Sequence, residues 1–254
     1  LRQKDEFTFK DFLFHFKKRF KRGHFNTVVL YLAFVHFAIY ISSPFFVAFM
    51  LKDLNFTYIQ YVIAIAINLI VQMICFPVWG RFSDKYGSLA ILKLTGILIT
   101  FNPFFWIFAT SLNNVVFMQI YAGFTFSGFL LASFDFLMET TTRERRATSM
   151  SYYALVNGIF IFIGSIVGAL LIRLMGAINL QSIPVIGTIF WSHYIPLFLI
   201  SAILRLVIGI ILLPRLKDVK RHAKISSKDL ALHVISAVPE KGMHIHTHLH
   251  HPTK

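Results

Sequence analysis

The stretch Phe56–Gly87, FTYIQYVIAIAINLIVQMICFPVWGRFSDKYG, joins an uninterrupted apolar block to a short polar motif. The block Phe56–Trp79 contains no charged residue, and as one α-helix it is long enough to cross the roughly 30 Å hydrocarbon core of a bilayer. The motif GRFSDKYG at positions 80–87 follows at once and ends the apolar pattern. A span followed by a charged, glycine-containing turn predicts a helical hairpin of a membrane protein.

The rest of the chain repeats this apolar pattern. Six blocks are each long enough to cross a bilayer: Phe25–Leu51, Phe56–Trp79, Ala90–Ala109, Asn113–Met138, Ser149–Gly176 and Phe190–Leu213. Apolar residues make up 56% of the 254 residues, charged residues make up 14%, and mean hydropathy is +0.67. A soluble domain carries about 25% charged residues. The sequence therefore predicts an all-α polytopic membrane protein with six transmembrane helices.

Three regions follow from this pattern. A bundle of six helices is predicted over residues 25–213, preceded by a basic segment at 1–24 and followed by a polar tail at 214–254. In the first segment, phenylalanines and lysines recur on separate faces at helical spacing, which indicates an amphipathic helix at the membrane surface; the alternative is an arm that binds nucleic acid. The tail is rich in histidine, but no Cys or carboxylate cluster accompanies it, so no metal site is predicted.

The distribution of basic residues sets the orientation. The net charge of +14 would suit nucleic acid, but the basic residues flank the apolar blocks. Of the 25 Lys and Arg residues, 22 fall on one side of the predicted membrane, and only Lys52 falls in a loop on the other. The positive-inside rule then places both termini in the cytoplasm. We expect an integral protein of the plasma membrane with the lipid bilayer as a partner and no nucleic acid.

The motif after the second span carries a family resemblance. Gly80, Asp84, Lys85 and Gly87 match the signature loop of the major facilitator superfamily, Gly-x-x-x-Asp-(Arg/Lys)-x-Gly. In that family the loop joins the second and third helices of the N-terminal half, and a degraded copy joins the equivalent helices of the C-terminal half. The two basic residues that complete the family motif are absent here. The sequence therefore resembles the C-terminal half.

Two further features agree with that resemblance. The loop Glu139–Arg146 is similar to the charged loop before the penultimate helix of a half in this family, and Gly164 and Gly168 form a GxxxG pair that permits close helix packing. The resemblance covers roughly residues 20–215. It implies a six-helix unit with 3+3 inverted repeats, present here as one half or a fragment of a secondary active transporter. It also implies two further partners, the missing N-terminal six-helix half and a small-molecule solute.

The resemblance assigns roles to several residues. On the cytoplasmic side, it implies a loop that latches the two halves together; its residues are Gly80, Asp84, Lys85, Gly87, Glu139 and Arg143. Polar residues inside spans are candidates for substrate contact or coupling, since placing them in hydrocarbon is costly. These candidates are His36, Tyr40, Ser43, Gln119, Ser127, Asp135 and Arg205. Asn68 and Gln72 in the second span are expected to join helices by hydrogen bonds.

Other functions are open at this stage. A self-assembling six-helix channel or half-transporter would have the same composition, and so would a non-transporting remnant. An enzyme is not predicted, because no phosphate loop or cluster of catalytic residues is present. No cofactor is expected. The polar residues do not indicate the substrate.

Overall fold

A computed structural model describes residues 24–177 and 191–217. The described residues form six long helices: α1 His24–Ala48, α2 Tyr58–Tyr86, α3 Ser88–Phe105, α4 Leu112–Glu139, α5 Arg146–Ala177 and α6 Tyr194–Leu212. A π-helical turn, Phe49–Asp53, extends α1, and short 3₁₀ turns follow α3, precede α5 and follow α6. Each helix is long and apolar enough to cross a membrane, which confirms the predicted all-α polytopic class. Residues 1–23 of the predicted amphipathic segment and residues 218–254 of the predicted tail lie outside the described residues.

The helices pair in a repeating order. The most extensive contacts join α1 to α5 and α2 to α4, followed by α3 to α4, α1 to α6 and α3 to α6. If α1, α2 and α3 correspond to α4, α5 and α6, then the α1–α5 pair corresponds to the α4–α2 pair, and the α1–α6 pair corresponds to the α4–α3 pair. A chain that has crossed the membrane three times is on the side opposite to its start, so the second set of three helices is inverted relative to the first. The pairing therefore has the pattern expected of 3+3 inverted repeats.

Glycines bring the paired helices close together. A Cβ on Gly164 of α5 would lie 2.6 Å from the carbonyl oxygen of Phe37 in α1, and one on Gly168 would collide with the carbonyl oxygen of Ile41. In the other main pair, a Cβ on Gly123 of α4 would lie 2.7 Å from the carbonyl oxygen of Asn68 in α2. Small residues permit such backbone approach, and van der Waals packing then holds helices together in lipid.

Trp79 is buried in the interface between α2 and α4. Its side chain is fully buried, and its indole N–H donates to the carbonyl oxygen of Phe124 at 2.8 Å. The ring of Phe124 lies 4.9 Å from it, and a Cβ on Gly128 would lie 2.6 Å from the indole. Gly128 thus leaves the space that the tryptophan occupies.

The turn between α2 and α3 is shorter than the sequence suggests. Residues 80–86 continue α2 as regular helix, and Gly87 alone connects it to α3. Asp84 accordingly lies in the last turn of α2, not at the start of a helix where it could cap backbone N–H groups. Gly80 has room for a side chain, because an added Cβ would meet only the Leu131 side chain at 3.9 Å. Close helix packing therefore does not require a glycine at position 80.

Gly87 has a backbone conformation that other residues avoid, and this gives a stability prediction. Its φ is 88° and its ψ is 147°, a region populated almost only by glycine. We expect Gly87→Ala to lower the free energy of unfolding by about 1–3 kcal/mol. Gly80→Ala, made in the same motif, should have little effect. Denaturation of the two purified variants in detergent measures the difference, and equal losses would show that strain at Gly87 is not the cause.

Candidate functional site

A cavity of about 350 Å³ lies between five of the six helices. Its walls come from α1, α2, α3, α4 and α6 and consist of Ile39, Ser43, Phe46, Val47, Met50, Ile65, Asn68, Gln72, Asn102, Trp106, Gln119, Ala122, Phe126 and Arg205. At 1.5 Å per residue, Asn68, Gln119 and Arg205 lie about 10–17 Å from the first residues of their helices. The cavity is therefore near the middle of a bundle built to cross a ~30 Å core.

Two amide side chains of the wall have unused hydrogen-bonding capacity. Asn102 is 5% exposed and Gln119 is 6% exposed, and neither side chain forms a hydrogen bond with the part of the chain that the structure describes. The other two amides are used within the protein. Gln72 donates to the Asn68 Oδ1 at 2.6 Å, and the Asn68 amide donates to the Gln119 backbone carbonyl oxygen at 3.1 Å. Asn68 thus joins α2 to α4, as predicted, and also faces the cavity.

Arg205 is held at the cavity wall by neutral groups. Nη1 donates to the carbonyl oxygen of Ile99 at 3.0 Å, and Nη2 donates to the Ser42 hydroxyl at 3.2 Å. Ser42 Oγ lies 3.0 Å from Ser201 Oγ, which in turn donates to the Ala38 carbonyl oxygen at 2.6 Å. This chain of hydrogen bonds ties α6 to both α1 and α3 and fixes the guanidinium in place.

The structure gathers some of the predicted residues and separates others. Ser43, Gln119 and Arg205 meet in the cavity. His36 and Tyr40 share a face of α1 with Ser43, but they lie outside the cavity wall. His36 Nδ1 is 2.8 Å from the carbonyl oxygen of Leu32 in its own helix, and its ring lies 6.0 Å from that of Phe129.

Ser127 also lies outside this cavity. It is fully buried, and its hydroxyl donates to the Phe124 carbonyl oxygen at 2.8 Å within the same helix. The hydroxyl of Ser127 is therefore hydrogen-bonded within its own helix. The position of the cavity does not support the predicted substrate contact at Ser127.

A second cavity, of about 480 Å³, opens at the end of the bundle that carries the α2–α3 and α4–α5 connections, here called the basic end. Its wall contains Ser83, Asp84, Asp135, Met138, Glu139, Thr141 and Arg146. Ser83 donates to Asp135 Oδ2 at 3.1 Å, and Ser88 donates to Glu139 Oε2 at 2.8 Å. The carboxylates of α4 thus bind to the end of α2 and the start of α3.

Two charged residues of the predicted latch lie at the surface of this end, outside the cavity wall. Lys85 and Arg143 are exposed, and the Lys85 ammonium lies 5.1 Å from the Tyr86 ring centroid. Asp135 falls with the latch residues and away from the central cavity. The structure therefore groups it with Asp84 and Glu139 and separates it from the other predicted substrate contacts.

Asn102 is the cavity residue that sequence reasoning missed. It precedes Pro103 near the end of α3, within a span that otherwise offers few polar side chains. The criterion that selected Gln119, a polar residue inside a span, would have selected it as well. Asn68 and Gln72 were seen as polar but were assigned only to helix packing.

Six membrane-length helices in two inverted sets of three, around a polar cavity at mid-depth, define a polytopic protein of the transporter type. The family description Major Facilitator Superfamily matches this sequence over residues 28–248. The chain therefore belongs to the major facilitator superfamily, a family of membrane transporters, and the resemblance carried by the motif at 80–87 is confirmed.

Two curated relatives are similar to parts of the chain. One is the efflux pump azaK of Aspergillus niger, 29% identical over 104 residues, which are 41% of this chain and 22% of the pump. Another is the uncharacterized MFS-type transporter YuxJ of Bacillus subtilis, 24% identical over 144 residues, which are 57% of this chain and 34% of that protein. The matches span about a third of the length of YuxJ and less than a quarter of the length of azaK. No solved structure matches the chain.

Proposed function

We propose that this chain forms one six-helix unit of a secondary active transporter, and that a small solute binds in the central cavity during alternating access. Membership of the transporter family supports the general activity. The position of the cavity supports the site, because transporters of this architecture bind substrate near the midplane, between two bundles. We also propose that the protein is integral to the plasma membrane, with the basic end and both termini in the cytoplasm, because Lys and Arg concentrate on that side.

The observation that carries this proposal is the pair of buried amides at Asn102 and Gln119. Neither side chain forms a hydrogen bond with the described residues, and the amide atoms remain accessible from the cavity. Polar groups inside a membrane span are costly, so amides kept at this depth are candidates for ligand contact. Polar groups kept at mid-depth in a cavity are suited to a polar ligand, or to the water that replaces it.

The second bundle of the transporter is proposed to pack against α2 and α5. These are the least buried helices, and they occupy equivalent places in the two sets of three. Their apolar outer faces include Ile59 and Met73 of α2 and Phe162 of α5. The curated relatives are about three or more times longer than the matched region, which leaves room for a second unit in the same polypeptide. The carboxylates at the basic end would then latch the two units.

Flux measurements on the complete native polypeptide in proteoliposomes test this function. A panel of organic solutes is screened for protein-dependent movement in both directions. For a transported solute, we expect Gln119→Leu to lower flux about fivefold at low solute concentration, the effect of losing one hydrogen bond of about 1 kcal/mol. This substitution removes the amide while keeping most of the side-chain volume.

Phe117→Leu is the matched control, because it lies on the same helix with its side chain 73% exposed. Its flux should equal that of the unchanged protein. If Gln119→Leu and Phe117→Leu support equal flux, the substrate does not bind at Gln119 in the central cavity. A native chain without flux for any solute would contradict transport, and one that assembles from two identical six-helix copies would instead support the half-transporter.

A further inference from the structure

The described wall of the central cavity carries a positive charge and no negative charge. Among the described residues of its wall, Arg205 is the only charged side chain, and no Asp or Glu is present. Arg205 is 3% exposed, so little solvent screens its charge. A buried charge is normally paired, because removal from water is costly and only an opposite charge restores most of the loss. Here the acceptors are a carbonyl and a hydroxyl, which orient the guanidinium without neutralising it.

The guanidinium also has donors to spare. An arginine carries five N–H groups, and Arg205 uses one at each terminal nitrogen with the described residues. Its Nε also has no hydrogen-bond partner among them, but this atom is fully buried, so the donors left for a ligand are the second N–H groups of the two terminal nitrogens. Arginine recognises carboxylates through such a planar set of donors, with shorter and stronger hydrogen bonds than neutral donors make.

The neighbouring groups complete a recognition site. The amides of Asn102 and Gln119 are available beside Arg205 in the same wall. Amide NH₂ groups donate to anionic oxygens, and their carbonyl groups accept from a hydroxyl. Aromatic side chains, Phe46, Trp106 and Phe126, line other parts of the cavity and provide an apolar surface.

From these features, and resting on the proposed transport function, we infer the substrate class. The geometry points to a small organic monoanion, with its carboxylate on Arg205 and an aromatic or aliphatic body against the aromatic side chains. The volume of about 350 Å³ is at the lower end of cavities that hold organic ligands. A cationic solute would meet Arg205 with no compensating carboxylate among the described wall residues, so the site selects against it.

Three probes with one ring system test the charge preference: 2-naphthoate, 2-naphthamide and 2-naphthylmethylammonium. Their affinities for the complete native polypeptide in nanodiscs are measured by calorimetry. We expect naphthoate to bind at least tenfold more tightly than the neutral amide, and the ammonium compound to bind most weakly. Arg205→Met should reduce naphthoate binding to the level of the amide, while Arg205→Lys should retain part of the preference.

Arg173→Met is the matched control, since Arg173 is an exposed arginine within α5 and outside the cavity. It should leave the preference unchanged. If Arg205→Met does not fold, Gln119→Leu still weakens naphthoate binding if the carboxylate lies in this cavity. Equal binding of naphthoate and naphthamide, no binding of naphthoate, or naphthoate binding that survives Arg205→Met would overturn the inference.

The flux assay separates this inference from the proposed function. A neutral or cationic solute that is transported with dependence on Gln119 overturns the anion preference and leaves transport in place. Absence of flux for every solute, together with absence of binding, overturns both.

Discussion

Gly168→Val is expected to break the pairing of α1 with α5 and to leave little folded protein. Even the first carbon of a side chain at Gly168 would collide with the carbonyl oxygen of Ile41, and it would lie 2.9 Å from the Phe45 ring. A backbone oxygen inside a helix cannot rotate away, so the two helices must separate. Overpacking of this kind costs about 3 kcal/mol or more, and separation also forfeits contacts along the rest of the pair. Yield of monodisperse protein and unfolding in denaturant measure the loss.

The control for this change is Gly176→Val in the same helix. A Cβ there would meet nothing within 4 Å in the described residues, so the same chemical change has no steric consequence inside the bundle. The stability of Gly168→Ala should lie between those of the two valine variants, because alanine adds only the Cβ that collides with Ile41. Equal stability of the Gly168 and Gly176 valine variants would refute close α1–α5 contact as the reason for the glycine.

The fold was largely predictable because hydropathy and membrane thickness act together. An apolar block of about 20 residues has few alternatives to a helix in a bilayer, where each backbone N–H must bond within its own segment. Predicted and observed spans accordingly agree to within a few residues at most ends; for example, Asn113–Met138 corresponds to Leu112–Glu139. The GxxxG pair was also readable, because small residues at that spacing lie on one helix face.

Helix ends were less predictable. The apolar pattern stops at Trp79, but α2 continues to Tyr86. Hydropathy reports where a chain leaves the hydrocarbon, while the helix persists until a residue breaks its hydrogen bonding. Here that residue is Gly87, whose positive φ could be suspected from its identity but not established without the structure.

The candidate site shows a different limit. The sequence identifies which residues are polar inside spans, but the convergence of helices decides which of them share a cavity. His36 and Ser43 lie on one face of α1, yet only Ser43 lines the cavity, because two helical turns, about 10 Å, separate the two positions in depth. Arg205 is a predicted candidate for substrate contact or coupling, and it does line the cavity. Within the described residues it bonds to Ile99 and Ser42, two neutral groups that no motif marks.

Removal of the Trp79 side chain should be the most damaging change in the second main helix pair. Trp79→Ala would empty a fully buried site between α2 and α4 that Gly128 keeps open for the indole. In a bilayer, helix association depends mainly on packing contacts, so the lost dispersion contacts carry most of the cost. We expect the free energy of unfolding to fall by about 3–5 kcal/mol, the range for large-to-small changes in cores.

Two further variants separate packing from hydrogen bonding. Trp79→Phe keeps a ring in the site but removes the N–H that donates to Phe124, so a loss near 1 kcal/mol is expected for that bond, plus a small packing term. Phe134→Ala removes an aromatic ring from α4 that is 58% exposed, and it should change stability by less than about 1 kcal/mol. Denaturant titration of all three variants in the same detergent gives the order. If Phe134→Ala lowered stability as much as Trp79→Ala, the exposed face of α4 would itself be a packing surface. The interface between α2 and α4 would then not be the principal contact of these two helices.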